Sequence, residues 1–208
     1  MARIIGSKCK LCRAYGEKLF LKGQKCSTEK CSVARRAFPP GQHGKRRRKD
    51  SNYGLQLREK QKAKRIYGIL ERQFNNYFKI AERSKGVTGE VLLGLLERRL
   101  DNVIFRLGFA FSRAQARQLT RHNTVYVNAK KVNIPSYLVR EGDMVEVKGK
   151  ENRVKVASSI RKELKDRIIP KWLEPEKEAL KALIKRLPGR EDIDFSIQEQ
   201  LIVELYSK

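Results

Sequence analysis

Acidic residues are scarce in this chain, and long apolar runs are missing. Only 23 aspartates and glutamates stand against 48 lysines and arginines in 208 residues, which leaves a formal net charge of +25. Such a surplus makes a compact fold repel itself, and a polyanionic partner would relieve that repulsion. Because no run of about 18 apolar residues is present, no transmembrane helix is predicted. No apolar signal region follows the N-terminus, so we expect a cytoplasmic protein.

Motifs of several other function classes are also missing. The sequence has no glycine loop that would cradle phosphates, and its acids lie mainly on charged helix surfaces, so we predict that the protein is not an enzyme. It has no C2H2 zinc-finger pattern, no zipper and no clear recognition helix for a DNA major groove. No strongly amphipathic terminal helix accompanies the basic runs, which disfavours a membrane. A nucleic acid is the favoured polyanion.

The positive charge is concentrated in the first third of the chain. Residues 1–65 contain 20 lysines and arginines against 4 acids, whereas residues 170–208 contain 7 against 8. The electrostatic footprint of a polyanion should therefore fall mainly on the N-terminal third, and the C-terminal part should resemble an ordinary folded surface.

All four cysteines lie in the first 31 residues, as Cys9-x2-Cys12 and Cys26-x4-Cys31. Two such pairs can complete a tetrahedral metal site, and four cysteine ligands leave no open position, so the metal would be structural. Disulfides are disfavoured in the cytosol, and unrelated buried thiols rarely cluster in this way. We predict a zinc site, with an iron–sulfur cluster as the alternative.

A basic linker follows the cysteines. Two prolines and two glycines in residues 39–44 exclude a regular helix, and the run from Lys45 to Lys49 should be mobile until phosphates neutralise it. Since the cysteines already complete the metal site, His43 is interpreted as an RNA contact or a turn hydrogen-bonder.

Helical periodicity dominates residues 51–108. Ser51 can cap a first helix that is rich in lysine and arginine, and a second helix is predicted from Ile69 to Arg83 with an aromatic core face. Apolar residues from Leu92 to Leu107 then form one stripe, and Gly108 stands where a left-handed C-terminal cap belongs.

The pattern after Gly108 predicts a small α/β module. Ser112 and Gln115 form a capping-box pair. Arg113, Arg117 and Arg121 recur at spacing four, and no acid lies between Asp101 and Glu141, so we expect an outward arginine stripe that a polyanion covers. Alternating valines at 125–127 and 145–147 predict a short antiparallel sheet.

The predicted fold class is α+β. The predicted domains are a metal-bound arm of four cysteines with its basic linker (1–45), a helical domain (46–97) completed by about 175–208, and the α/β RNA-binding module (98–165). In the C-terminal part, a helix is expected from near Pro175 to Leu187 and a buried terminal strand over residues 201–206.

Specific motifs run along the whole chain. They are the cysteine quartet with Tyr15, Leu19–Gly23, Pro39–Gly44, Leu57–Lys62, Arg65–Gly68, Glu71–Phe74, Arg99–Val103, Arg106–Phe109, Ser112–Leu119, Pro135–Tyr137 and the end from Gln200 to Ser207. With these motifs the chain resembles the bacterial-type small-subunit ribosomal protein four family over essentially its full length.

That resemblance implies a helical domain with an inserted α/β RNA-binding module. It implies a primary 16S rRNA-binding protein that nucleates small-subunit assembly at a multi-helix junction. Family members also contribute to decoding accuracy through the neighbouring small-subunit protein five, and some repress their own mRNA. Two departures stand out: Ala129 replaces a usual glycine, and Asn123-Thr124 replaces a usual Gly-His.

The candidate RNA contacts are mostly cations of the linker, the first helix and the module. They are Arg35, Arg36, His43, Lys45, Arg46, Arg47, Arg48, Lys49, Arg58, Lys60, Lys62, Arg106, Ser112, Arg113, Gln115, Arg117, Arg121 and His122. Two alternatives stay open: an RNA-modifying enzyme that uses the same module as an accessory, and a zinc-dependent regulator that binds nucleic acid.

Overall fold

The structure of the chain is a computed structural model, and it describes residues 4–45, 50–149, 151–164, 167–176 and 179–207. The chain divides into two compact units. Unit 1 comprises Met1–Leu92 and Phe195–Lys208, and unit 2 comprises Leu93–Asp194. The mixed class of helices with a small antiparallel sheet is confirmed. The roles predicted for the three domains stay predictions: a metal-bound arm (1–45), a helical domain (46–97) and an RNA-binding module (98–165). Within the described ranges, no helix has the length and apolarity that crossing a membrane requires.

Unit 1 is helical. Its helices are α1 (Lys8–Tyr15), α2 (Ser32–Arg35), α3 (Asn52–Tyr67), α4 (Glu71–Arg83), the first part of α5 (Thr88–Glu97) and, in chain order the last, α9 (Glu199–Tyr206). As predicted, Ser51 caps α3, since its hydroxyl accepts a hydrogen bond from the amide of Gly54 at 3.2 Å. Phe74, Tyr77 and Phe78 of α4 are buried, as the predicted core face requires.

The C-terminal segment is a helix, and the predicted terminal strand is wrong. Helix α9 buries Ile202 completely and packs along α3, where the Gln56 amide donates to Glu204 Oε2 at 3.0 Å. The ring of Tyr206 stacks on Phe78 with 4.2 Å between centroids. An apolar run alone does not distinguish a buried strand from a buried helix, and here the packing partner is a helix.

Glu71 ties α3, α4 and α9 together at one point. Its carboxylate accepts hydrogen bonds from Lys60 at 2.9 Å, Lys64 at 2.7 Å and the Tyr206 hydroxyl at 3.2 Å. Burial alone would raise the pKa of Glu71, but the two ammonium groups outweigh it and bring the pKa to about 2. The carboxylate therefore stays ionised and stabilises unit 1 above pH 4.5, and that contribution is lost as the pH falls toward 2.

Unit 2 packs helices on a five-stranded antiparallel sheet. The remaining elements are α6 (Leu100–Arg106), α7 (Arg113–Arg121), β1 (Val125–Val127), β2 (Lys130–Lys131), β3 (Met144–Val147), α8 (Glu151–Glu163), β4 (Leu173–Pro175) and β5 (Lys181–Ile184). The strand order is β2-β1-β3-β5-β4. Val125, Val145, Ala182 and Ile184 point into the core, where Trp172 is fully buried.

The sheet is larger than the sequence predicted. The helix expected from Pro175 to Leu187 is wrong, because this region forms β4 and β5, with Ala182 opposite Val145 of β3. Local propensity there favours a helix, but an open edge of β3 offers hydrogen bonds that only a strand can use. Val154 and Val156, which alternate with polar residues along the sequence, lie within α8.

The apolar stripe from Leu92 to Leu107 is interrupted, and the single helix predicted there is wrong. Helix α5 ends at Glu97, and Arg99 takes an extended conformation before α6. The segment around Tyr137 supplies the backbone partners that a continuous helix would have supplied: the Leu100 amide donates to the Tyr137 carbonyl at 2.8 Å. The predicted stop is confirmed, because Gly108 has a φ of 75°.

The hairpin between β1 and β2 turns through two left-handed residues, Asn128 (φ 49°) and Ala129 (φ 62°). Asn128 suits this position: its Oδ1 accepts from the Met144 amide and its Nδ2 donates to Asp143 Oδ1, both at 2.8 Å. Alanine does not, because its Cβ crowds the backbone in the left-handed region. Both residues are left-handed, so the strain of the turn falls on Ala129, whereas two hydrogen bonds hold the Asn128 side chain.

Replacing Ala129 with glycine should stabilise the protein by roughly 0.5–1 kcal/mol, because glycine adopts this φ without strain. The relief of strain outweighs the greater conformational entropy that glycine loses on folding. Urea unfolding measures the change. The matched control is Ala114→Gly on the exposed face of α7, which should destabilise the protein by roughly 0.5–1 kcal/mol. If Ala129→Gly destabilised the protein as much as the control does, the claim that Ala129 is strained would be contradicted.

Candidate nucleic-acid interface

The four cysteines line one small cavity in unit 1, together with Lys22 and Lys25. Cys9 and Cys12 lie one turn apart on α1, Cys26 ends a short 3-10 turn, and Cys31 caps α2. All four are free thiols in this structure. Within the described ranges, however, no group of three or more His, Cys, Asp or Glu side chains has a geometry that would hold a metal ion. The fold brings the four cysteines together around one cavity.

Backbone groups face two of these sulfurs. The amide of Lys22 donates a hydrogen bond to Cys26 Sγ at 3.4 Å. Burial raises the pKa of the Cys12 thiol, a hydrogen bond with the Leu19 backbone lowers it, and the other three cysteines raise it further. The mutual influence of four sulfurs follows from their shared position around one cavity.

The linker forms a closed turn before the basic run. Arg13 holds it, because its Nε donates to the Phe38 carbonyl at 3.0 Å and its guanidinium lies 5.1 Å from the centre of the Phe38 ring. Gly44 is required, since a Cβ there would lie 2.1 Å from the Pro39 carbonyl oxygen. His43 and Lys45 are exposed on this turn. Arg46, Arg47, Arg48 and Lys49 lie outside the described residues.

Helix α3 uses its predicted RNA-binding cations for contacts within the protein. The guanidinium of Arg58 pairs with Asp50 at 3.0 Å and donates to the Tyr15 carbonyl at 3.2 Å, although the residue stays exposed. Lys60 is bound to Glu71. Lys62 is 5 % exposed, and its ammonium reaches the Ser196 carbonyl at 2.7 Å and Glu17 at 2.9 Å. Lys62 is therefore buried in unit 1, where its charge joins three segments, and its use as an RNA contact stays a prediction.

Arg106 is buried in unit 2, at 3 % exposure. Its guanidinium makes two hydrogen bonds to the fully buried carboxylate of Glu97, at 2.8 and 3.0 Å, and also pairs with Asp194. The Asn102 amide donates to the same Glu97 carboxylate at 2.6 Å. A buried charge needs these partners inside the fold. Arg106 is therefore not an exposed cation, and its use as an RNA contact stays a prediction.

The arginine stripe of α7 faces inward over most of its length, so the predicted outward stripe is wrong. Arg113 is buried; its Nε donates to Asn102 Oδ1 at 2.8 Å and its guanidinium lies 4.3 Å from the centre of the Phe105 ring. Arg117 bonds Asp101 Oδ2 at 3.3 Å. Asp101 also receives both arms of the buried Arg99, at 2.6 and 3.0 Å.

The cap of α7 is confirmed in part. Ser112 Oγ accepts from the Gln115 amide at 3.3 Å, whereas Gln115 Oε1 accepts from the Phe111 amide at 3.0 Å instead of closing the box on Ser112. Both side chains therefore serve the helix start. Their use as RNA contacts stays a prediction.

The exposed candidates that the structure describes lie at helix ends, in the linker and, for Arg58, within α3. They are Arg35, Arg36, His43, Lys45, Arg58, Arg121 and His122. Asn123, which follows His122, takes a φ of 59°, in the left-handed region that asparagine tolerates.

Sequence reasoning missed several cations of unit 2. Lys130 and Lys131 are exposed on the edge strand β2, where a lysine pair after a turn is the visible signal. Arg98 donates to the Val139 carbonyl at 3.0 Å, and burial together with the nearby Arg140 lowers its pKa. Arg167 covers the Phe105 ring at 4.0 Å, and burial lowers its pKa to about 10, aided by the charge of Arg106.

Arg106→Met should lower the free energy of unfolding by roughly 3–5 kcal/mol, because it leaves the Glu97 carboxylate buried without its partner. Arg121→Met removes the same charge from an exposed site and should change stability by no more than about 0.5 kcal/mol. Urea unfolding of both variants measures the difference. Equal effects would contradict the division into buried and exposed arginines.

Comparison with known proteins agrees with this architecture. Residues 3–97 match the family described as "Ribosomal protein S4/S9 N-terminal domain", and residues 98–145 match the "S4 domain". Proteins named small ribosomal subunit protein uS4 are similar over 100 % of both chains: those of Geobacter sulfurreducens, Citrifermentans bemidjiense and Caldicellulosiruptor saccharolyticus are 60 %, 59 % and 58 % identical. The two family models and the full-length identity establish that this chain belongs to the uS4 family of small ribosomal subunit proteins.

Proposed function

We propose that the protein is a structural, non-enzymatic component of the small ribosomal subunit in the cytoplasm and binds 16S rRNA. The observation that carries this proposal is the 57–60 % identity, over the entire chain, to proteins named for that subunit. The net charge of +25 supports it, since phosphates would neutralise the surplus.

The buried cations narrow the surface that RNA would contact. Lys62, Arg106 and Arg113 are committed to carboxylates, carbonyls and a ring inside their own units. The contact therefore falls to the exposed cations of the linker, to Arg121 and His122 at the end of α7, and to Lys130 and Lys131 of β2. Such contacts grip phosphates and read the shape of a folded RNA more than its sequence.

The family resemblance extends the proposal. It implies binding at a multi-helix junction early in assembly, a contribution to translational accuracy beside the neighbouring small-subunit protein five, and binding to the protein's own mRNA. Sedimentation of the cellular protein with the small subunit tests its place there. A chain that turns over a substrate and stays off the subunit would favour an RNA-modifying enzyme.

If about eight phosphates are contacted, affinity for a 16S rRNA transcript should fall by roughly three to five decades between about 50 and 200 mM salt. Filter binding over a salt series measures the slope. Replacing Arg35, Arg36 and Arg121 together with alanine should weaken binding. The slope of log affinity against log salt concentration should become shallower by about three, roughly one for each lost phosphate contact.

Lys171→Ala is the matched control for this triple variant. Lys171 is also an exposed cation, but it lies in the segment without net positive charge, so binding should not change. Equal binding to duplex DNA and to the transcript at the same salt, or a slope near zero, would contradict the proposal.

We also propose that Cys9, Cys12, Cys26 and Cys31 hold one structural zinc ion, with an iron–sulfur cluster as the alternative. The support is their shared cavity, the two lysines beside it and the Lys22 amide hydrogen bond to Cys26 Sγ, since amide donors and cations stabilise thiolates. The metal would supply order to an arm that has little apolar core of its own.

One equivalent of zinc per chain should copurify with the protein, and Cys26→Ser should lose it, because three thiolates bind far more weakly than four. Elemental analysis measures the metal, and Cys31→Ser is the parallel variant at the other cysteine of this pair. Stoichiometric zinc that persists when all four cysteines are serine would contradict the site. Iron and acid-labile sulfide in equal amounts would favour the cluster.

A further inference from the structure

One exposed aromatic residue of the cysteine arm lies in a strained backbone conformation. Phe20 has a φ of 49°, in the left-handed region, and is 42 % exposed. Its neighbour Leu19 is buried at 1 % exposure. An L-residue with a branched or bulky side chain rarely adopts such a φ, and strain of this kind persists where the surrounding structure enforces it.

The surrounding structure holds the turn at both ends. On one side Leu19 is buried and its backbone hydrogen-bonds Cys12; on the other side the Lys22 amide donates to Cys26 Sγ at 3.4 Å. The reversal between these anchors places Leu19 inside and the Phe20 ring outside. The ring is therefore presented on a fixed backbone, which lowers the entropy lost when a partner covers it.

Phe38, another aromatic residue of the arm, differs in its surroundings. Its ring already lies beneath Arg13 and Lys45, at 5.1 and 5.7 Å from the centroid. For Phe20, the described part of the chain contains no stacked ring and no cation over the ring. The Phe20 ring is thus partly exposed, without a stacked ring or a covering cation, in a segment where residues 8–30 carry seven lysines and arginines against two glutamates.

The chemistry around the ring selects its partner. A surface that combines flat aromatic groups with dense negative charge suits both the ring and the cations, and single-stranded RNA has this combination. An apolar protein surface would cover the ring but would leave the cations unpaired. Nucleobase stacking also explains why a large aromatic residue occupies a position where glycine would be unstrained.

We propose that Phe20 stacks on an unpaired nucleobase of the RNA that the arm contacts. The proposal rests on the proposed function, since it names one contact within the same rRNA-binding surface. It assigns the arm a base contact in addition to its phosphate contacts.

Phe20→Gly separates this role from a structural one. Glycine removes the ring and relieves the left-handed strain, so the melting temperature should be unchanged or higher while affinity for a 16S rRNA transcript falls about 5- to 100-fold, the range for loss of one stacked base. Phe20→Leu keeps apolar volume without a flat face and should lose a similar factor. Phe20→Trp should retain affinity, and its indole should be quenched on adding the transcript, against the constant background of the buried Trp172.

Three outcomes would overturn the proposal. A lower melting temperature for Phe20→Gly would assign Phe20 to packing; full affinity in Phe20→Leu would reduce its role to apolar contact; and an unquenched indole with unchanged affinity in all variants would place a protein surface on the ring. Measuring the wild-type protein in parallel separates the stacking of Phe20 from the proposed rRNA-binding function. If it fails to bind the transcript, the proposed function fails; if it binds and the variants bind equally, only the stacking fails.

Discussion

The buried ion pair between Glu97 and Arg106 is the constraint on which unit 2 depends. Glu97 is fully buried, so its carboxylate requires the two hydrogen bonds of the Arg106 guanidinium and the amide of Asn102. Asn102 in turn orients Arg113 against Phe105, and Asp101 beside it holds Arg99 and Arg117. One polar network therefore fixes the end of α5, the whole of α6 and the inner face of α7. A network of this kind specifies one arrangement because any partial version leaves charges buried without partners.

This network changes the meaning of the net charge. A surplus of cations indicates a polyanionic partner, but it does not indicate which cations meet that partner. Arg106, Arg113 and Lys62 are held within the fold, whereas Arg121 and Lys130 are exposed. The buried cations pack through their long aliphatic stems and hydrogen-bond through their charged heads within the fold. The cations that stay exposed are the ones available to RNA.

The sequence predicted what is local. The Ser51 and Ser112 caps, the left-handed Gly108 and the valine strands follow from side-chain chemistry within a few residues, and all are found. Prediction from the sequence failed where contacts with a distant segment determine the local structure. Asp101 lies just outside the acid-free stretch, so its pairing with Arg117, sixteen residues away, is invisible to a search for neighbouring charges. Strand β5 forms against its local propensity because it pairs with β3, and the apolar run of α9 is a helix that packs along α3.

Unit 1 is assembled from distant parts of the chain, since Gln56 of α3 bonds Glu204 of α9 across 148 positions. Translation produces α3 first and α9 much later, with all of unit 2 in between. The helical unit therefore reaches its final form only after α9 has been synthesised, whereas unit 2 is continuous and can fold sooner. A nascent or prematurely terminated chain would present one completed unit beside an open one whose aromatic face on α4 still lacks the Tyr206 ring.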